Sequence, residues 1–484
     1  MKSVRVLSAT LLIGCLCSVL ATAREAEAPW QLAAAGGEAF AISNDDVTRI
    51  LEDRIDHMHK GVGLVVGLID QTGTRVVSYG TTDRISRQPV NGDSVFEIGS
   101  ITKTFTAILL ADMVERGEVR LDDPISKYLP AGVRAPTRNG KEITLAHLAT
   151  HTSGLPRDAG NLAPLWWRLC LWCSDESGIL RRYSVEDLYA YLSHYTLKRD
   201  IGAESEYSNF AVSVLGQLLA RRAGTDFATL VQTRITAPLG MSDTAIRTTP
   251  EMRVRVAHGH SESLKPVSSW DQPGAYAAAG GLKSTVNDML KFAAANLGLR
   301  QSPVLTAMQR SHQPNETAKM QMGLGWGINR AWDAEIRNHS GGTGGYITYL
   351  GIDLKRRRGV VVLSNTLNDI TDIGVHLLES RVPLVKEHNA ITLNARALDA
   401  FVGAYQMQPD VVLTVTRRGD RLLSHRGGPG ASPEKLEIFP ETETNFFLKA
   451  INAQMTFTKD SADRVTQVVI HHASGQDETG PKIK

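Results

Sequence analysis

Excess charge, cysteine and long apolar runs are all scarce in this chain, and each scarcity excludes something. Of 484 residues, 53 are Lys or Arg and 51 are Asp or Glu. Lys2 and Arg5 are the only charges before residue 24, so the rest carries 51 of each sign and no net charge. No basic run is long enough to track a phosphate backbone. The nearest, Lys355-Arg356-Arg357-Arg358, precedes Gly359 and a strand-like run and reads as a solvated hairpin end. Nucleic acid is therefore not expected as a partner. With 19 Pro, 42 Gly and 21% charged residues, the composition fits neither a disordered chain nor a collagen nor a coiled coil. Past the first two dozen residues no stretch is long and apolar enough to span a bilayer. Of the four cysteines, only Cys170 and Cys173 lie beyond the first two dozen residues, and two thiols with no histidine-rich partner nearby are too few for a structural zinc site. No metal or organic cofactor is implied.

The length suggests two or three domains and a core large enough to need no staples. Residues 1–23 read as an export signal: a short basic start, an apolar run of about 16 residues from Val6 to Ala21, then Ala21-Thr22-Ala23 as a cleavage site. Leu12-Ile13-Gly14-Cys15 resembles a lipoprotein cleavage box, but Leu16 to Ala23 stays apolar where lipoproteins turn polar. The expectation is a periplasmic protein, with anchoring through Cys15 as the alternative. Export would leave Cys170 and Cys173, whose bland reading is a short-loop disulfide. A redox pair lacks its βαβ context.

Ser43 to His59 reads as an amphipathic helix. Gly63 to Ile69 and Arg75 to Tyr79 read as a hairpin around Gln71-Thr72-Gly73. Ser100 to Glu115 is an apolar helix ended by Gly117, and helices and loops follow to about residue 330, clearest at Val185–Leu192, Phe210–Arg222 and Val286–Leu297. Tyr346 to Asp353 and Gly359 to Ser364 read as strands, and Asp372 to Arg381 as a closing helix. Strands at both ends with helices between predict one antiparallel sheet assembled from distant parts of the chain, with a helical region beside it. From about Ala390, short β-type runs from Val411 to His471 predict a separate antiparallel barrel or sandwich. His471 and His472 point to opposite faces of a strand, which argues against a metal pair.

Three motifs carry chemistry. Ser100 and Lys103, in Phe96-Glu97-Ile98-Gly99-Ser100-Ile101-Thr102-Lys103, share a helical face. A serine hydroxyl needs a base in contact, and a buried lysine with a lowered pKa can serve. The helix start adds a backbone N–H and a positive dipole end for an oxyanion. A bare Ser-x-x-Lys recurs by chance, as Ser432-Pro433-Glu434-Lys435 does in a Gly-Pro-rich turn. The second motif, Tyr207-Ser208-Asn209, is the only Tyr-x-Asn in the chain. Its phenol can shuttle the serine proton, and its amide can hold a substrate amide and the lysine. The tripeptide would otherwise be a capped helix start. The third, His339-Ser340-Gly341-Gly342, enters a strand through glycines that let a substrate backbone lie close. His339 could hold a substrate carboxylate or polarise Tyr207.

In order and spacing these motifs resemble those of the serine β-lactamases of class C type and their penicillin-binding relatives. Leu121-Asp122-Asp123-Pro124, His151-Thr152-Ser153-Gly154-Leu155-Pro156, Pro238-Leu239-Gly240-Met241 and Ala279-Gly280-Gly281-Leu282 agree. Val133 to Arg157 and Gly344 to Tyr349 bring it nearest the D-alanyl-D-alanine carboxypeptidase/endopeptidase subgroup. The resemblance implies an α+β, α/β/α sandwich fold: an antiparallel sheet flanked by helices plus a helical domain, over residues 45–385. It also implies a small antiparallel β-barrel domain over 391–484. Ser100 would be the acylated nucleophile, with Lys103 and Tyr207 sharing proton transfer. Asn209 would contact the acyl amide, and the N–H groups of Ser100 and Gly342 would form the oxyanion hole. The partner would be a small molecule or a peptidoglycan peptide. His339 departs from the family's Lys-Thr-Gly, and a neutral imidazole holds a carboxylate less firmly than an ammonium. That weakens the expectation of efficient β-lactam hydrolysis and leaves acyl-enzyme chemistry intact. An esterase or D-aminopeptidase of the same family, or a non-catalytic peptidoglycan-binding envelope protein, are the alternatives.

Overall fold

The computed structural model describes residues 37–162, 176–270, 274–315, 322–386, 388, 390–428, 435–448, 453–472 and 477–483. Residues 1–23, expected as an export signal and including Cys15, lie outside the described residues, as do Cys170, Cys173 and Ser432. Six strands form the first sheet: β1 (Gly63–Asp70), β2 (Gly73–Gly80), β3 (Gly327–Ala331), β4 (Ala334–Gly342), β5 (Ile347–Asp353) and β6 (Arg358–Ser364). Their spatial order is β2-β1-β6-β5-β4-β3, and every pairing is antiparallel. The expected joining of distant parts is the β1–β6 pair, which sets Leu64 opposite Ser364 and Ile69 opposite Gly359.

Every residue of β1 is buried, because both faces of the sheet are covered. Helix α1 (Asn44–Glu52) and helix α5 (Thr371–Leu378) lie on one face, where Val47, Leu51, Ile373 and Leu377 pack with Leu64, Val66, Val360 and Val362. Helix α4 (Val286–Asn296) covers the other. It comes so close at Gly67 that a Cβ there would lie 2.6 Å from a methyl of Val286. This is the expected α/β/α sandwich.

Helix α2 (Thr102–Glu115) is buried from Thr102 to Met113, so it has no solvent face and no amphipathic stripe. Phe105 stacks on Phe292 of α4 at 4.1 Å between ring centroids, which fixes α2 against the sheet layer. Helix α3 (Asn209–Ala223) starts at the Ser208 N-cap, whose hydroxyl accepts from the Ala211 N–H, and stops at Gly224 in the left-handed region.

Strands β3 and β4 correct the reading of residues 327–342. The segment expected as helix, loop and then a glycine-rich entry is a hairpin turning at Trp332, φ 48°. His339, Ser340, Gly341 and Gly342 are the last four residues of a strand, paired with Leu350, Tyr349, Thr348 and Ile347. The basic run does form a hairpin end. Only Lys355 is exposed there, and Arg356 turns in to Asp353 and Glu379.

The C-terminal strands are β7 (Gly403–Gln408), β8 (Val411–Arg418), β9 (Arg421–Gly427), β10 (Leu436–Pro440), β11 (Asn445–Leu448), β12 (Ala453–Lys459), β13 (Val465–His472) and β14 (Asp477–Pro481). They follow one another in an eight-stranded antiparallel meander. The first and last meet where Tyr405 pairs with Lys482 and the Ile483 N–H donates to Ala404 O at 2.8 Å. The sheet is thus a nearly closed barrel, which removes the open edges a flat sheet would have. His471 and His472 each face their own carboxylate, Asp477 and Glu478. No helix among the described residues is long and apolar enough to cross a membrane.

Candidate active site

The Ser100 turn is set by two glycines. Gly99 holds φ 51°, and a Cβ on it would meet the Gly342 backbone nitrogen at 2.8 Å. A Cβ on Gly341 would meet Ile98 O at 2.1 Å. Only glycine lets these two backbones touch, and their contact places Ser100 beside the end of β4. The Thr348 hydroxyl, donating to Ile98 O at 3.0 Å, ties the turn to the sheet from below. Ser100 lies in a short 3-10 turn, Gly99–Ile101, that runs into α2, so its oxygen faces the cleft at a helix start.

Lys103 is one turn on and 1% exposed. Its Nζ lies 2.9 Å from Ser100 Oγ and donates to Ala279 O at 2.6 Å. Burial drives its pKa well below the ordinary lysine value. Asp158 opposes that shift and Arg157 adds to it. An amine held this way is a base rather than a fixed charge.

Tyr207 comes from the other side. Its hydroxyl donates to Ser100 Oγ at 2.7 Å, and the Lys103 Nζ stands 4.8 Å from its ring centroid. Burial pushes the phenol up to about 12, against the Ser100 hydrogen bond and the Arg157 charge, which pull it down. Residues 206–210 are pinned to residues 151–157. The Ser208 N–H donates to His151 Nδ1 at 3.1 Å, the Ser208 hydroxyl to Pro156 O at 2.5 Å, and the Phe210 N–H to Arg157 O at 3.1 Å. Burial, with the Lys103 charge next, pushes His151 down to about 3, so its imidazole is a neutral acceptor.

The structure brings Ser100, Lys103 and Tyr207 together and sets Gly341 and Gly342 against their turn. Asn209 differs from expectation: its side-chain amide donates to Asp158 Oδ1 at 3.1 Å, and the lysine takes a backbone carbonyl instead. His339 is near Tyr207, with 6.3 Å between ring centroids, and its Nδ1 lies 2.7 Å from Ser340 O. Desolvation, with the Lys103 charge second, holds it down to about 4. Ser340 is exposed on the strand beside it.

Three contributors escaped the motif reading. His151 and the Ala279 carbonyl lie inside stretches quoted for the family resemblance, but one acts through its ring on the Ser208 N–H and the other through a backbone oxygen on Lys103, roles the motifs do not spell out. Asp158 follows Pro156-Arg157 in a loop, and its signal was the adjacent opposite charges in an otherwise apolar neighbourhood. Among the described residues no cluster of His, Cys, Asp and Glu could hold a metal ion.

The sequence model of the Beta-lactamase family matches residues 48–376, and that of a domain of unknown function, DUF3471, matches residues 387–482. D-alanyl-D-alanine-carboxypeptidase/endopeptidase AmpH of Escherichia coli (strain K12) is 32% identical over 344 residues, 65% of this chain and 83% of that one. Penicillin-binding protein 4* of Bacillus subtilis (strain 168) is 26% identical over 412 residues, 79% of this chain and 86% of that one. A solved class C beta lactamase from Rhodobacter sphaeroides superposes with a TM-score of 0.58 at 25% identity, covering 69% of this chain and 97% of that one. By family match, fold and identity, the chain belongs to the beta-lactamase family and is a serine hydrolase.

Proposed function

We propose that this protein is an exported hydrolase that works through an acyl-enzyme on Ser100, acting on peptides of D-alanyl-D-alanine type or on β-lactams. One observation carries the reading. Ser100 Oγ has a buried, desolvated amine at 2.9 Å and a phenol at 2.7 Å, both aimed at the same oxygen. As Oγ bonds to the substrate carbonyl carbon, its proton passes to the Lys103–Tyr207 pair. The scissile C–N or C–O bond then breaks, and the pair returns that proton to the departing nitrogen or oxygen. The oxyanion would rest on the N–H groups of Ser100 and Gly342, and Asn209 would meet the acyl amide. The relative named as a carboxypeptidase/endopeptidase supports a peptide substrate, and the leader-like residues 1–23 support export.

A second reading is an esterase or D-aminopeptidase. His339 favours it, since a neutral imidazole there offers a substrate carboxylate no full charge. Incubation with a fluorescent penicillin and with a chromogenic ester separates the two. Mass spectrometry of an adduct on Ser100 with the penicillin supports the first reading, and turnover of the ester alone supports the second. If neither reagent is turned over or leaves an adduct, acyl-enzyme chemistry is refuted.

A further inference from the structure

The charges around Tyr207 can be taken one by one. Lys103 faces the ring from α2, and its amine is one of the two places the working proton can sit. His151 lies 4.7 Å away, ring to ring, from the loop below, and His339 lies 6.3 Å away from β4. Both imidazoles are neutral above pH 5 or so. Asp158, hydrogen-bonded to Asn209, is negative and works against loss of a proton from the site. Among the described residues that leaves one lasting positive charge beside the ring. The Arg157 guanidinium carbon lies 5.2 Å from the Tyr207 ring centroid. A guanidinium keeps its proton throughout the working range.

We propose that Arg157 is a positioning residue whose charge holds the Lys103–Tyr207 pair in the deprotonated form that accepts the Ser100 proton. The inference rests on the acyl-enzyme reading above. Arg157 itself transfers no proton. It favours the state of the pair with one proton fewer, whichever member carries the remaining one, because the two sites titrate as a unit. Its effect on both groups has the same sign: it lowers the lysine and lowers the phenol. Two features bound its size. The Arg157 side chain is 67% exposed, and Asp158 Oδ2 stands 3.7 Å from its Nε. The influence is therefore that of a screened surface charge, and it weakens with salt.

The test uses the whole protein and a neutral chromogenic ester, so that no substrate carboxylate contacts Arg157. In Arg157→Gln the ascending limb of kcat/KM against pH should move up by about half a unit, with about a threefold loss at pH 7 and little change in KM. Arg157→Lys should keep the limb near its original place. His339→Lys, which adds an ammonium on the neighbouring strand, should return the limb when combined with Arg157→Gln. The shift should shrink at about 1 M salt. An unmoved limb in Arg157→Gln, or a rate loss that His339→Lys does not reverse, overturns the proposal while leaving the acyl-enzyme reading standing. A wild-type protein inert to both the ester and a fluorescent penicillin overturns the two together.

Discussion

The two interiors of this molecule are built on opposite rules. The barrel core is an apolar cluster, with Phe401, Tyr405, Phe446, Phe457 and Val468 at its centre. Among its described residues, Ser424 is the only buried polar one. The sheet-and-helix region buries lysine, histidine, glutamate and a series of threonines and serines around α2 and the end of β4. Burying polar groups costs free energy unless each is matched. The barrel therefore reads as packing, and the other interior as chemistry that the surrounding core must support.

The largest effect that could break this contrast is on Ser100. Ser100→Ala should lower turnover by about 10⁴-fold or more, with an unchanged melting profile. Residual activity near wild type would place the chemistry elsewhere. Lys103→Met should lower activity by about 10³-fold while leaving thermal stability equal or higher by about 1 kcal/mol, since a desolvated amine is exchanged for an apolar chain of similar length. A clear loss of stability would show that the lysine is structural. In the barrel the signs reverse. Phe457→Ala, at a site 2% exposed, should cost about 3–5 kcal/mol in chemical denaturation and leave kcat/KM per folded molecule unaltered.

The smallest effects are in pH. Arg426 holds Glu478 at about 2, against an ordinary value of 4.5. The folded form is the stronger acid, so this pair stabilises fully above pH 4.5 and loses its contribution as pH falls from 4.5 through 2. Glu478→Gln should flatten the acid limb of barrel stability over that window; an identical limb would assign it to other carboxylates. In the catalytic region His151 and His339 are held down to about 3 and about 4. Rate profiles should accordingly show no histidine inflection near 6.5, and one that vanished in His339→Gln would contradict the neutral-imidazole picture.

The same contrast explains what could be read beforehand. The strands β1, β5 and β6 are rich in branched apolar residues, and Ser-x-x-Lys heads an apolar helix, so both showed in one dimension. Strands β3 and β4 did not. Gly-Ile-Asn-Arg-Ala and Ala-Glu-Ile-Arg-Asn-His-Ser-Gly-Gly have little apolar alternation, and Arg337 is buried by donating to His312 O at 3.0 Å and to Glu335. The barrel's last strand was missed for the same reason: Asp-Glu-Thr-Gly-Pro has no strand-like pattern, and its place is fixed by pairing with β13 and by Lys482 meeting Tyr405. At the site, the serine, lysine and tyrosine were legible by type and spacing. The Asn209–Asp158 bond was not, because it depends on two loops meeting in space.

The pairing of β1 with β6 has a consequence for assembly. The second strand of the pair ends at Ser364, and the first begins at Gly63. Until that late stretch is available, β1 has β2 as its only partner and a surface apolar from Leu64 to Ile69 to hide. Contacts so far apart in the chain are slow to form. The catalytic region should thus gain its structure late and all at once, and a nascent chain would need its sticky leading hairpin shielded until the final strand arrives.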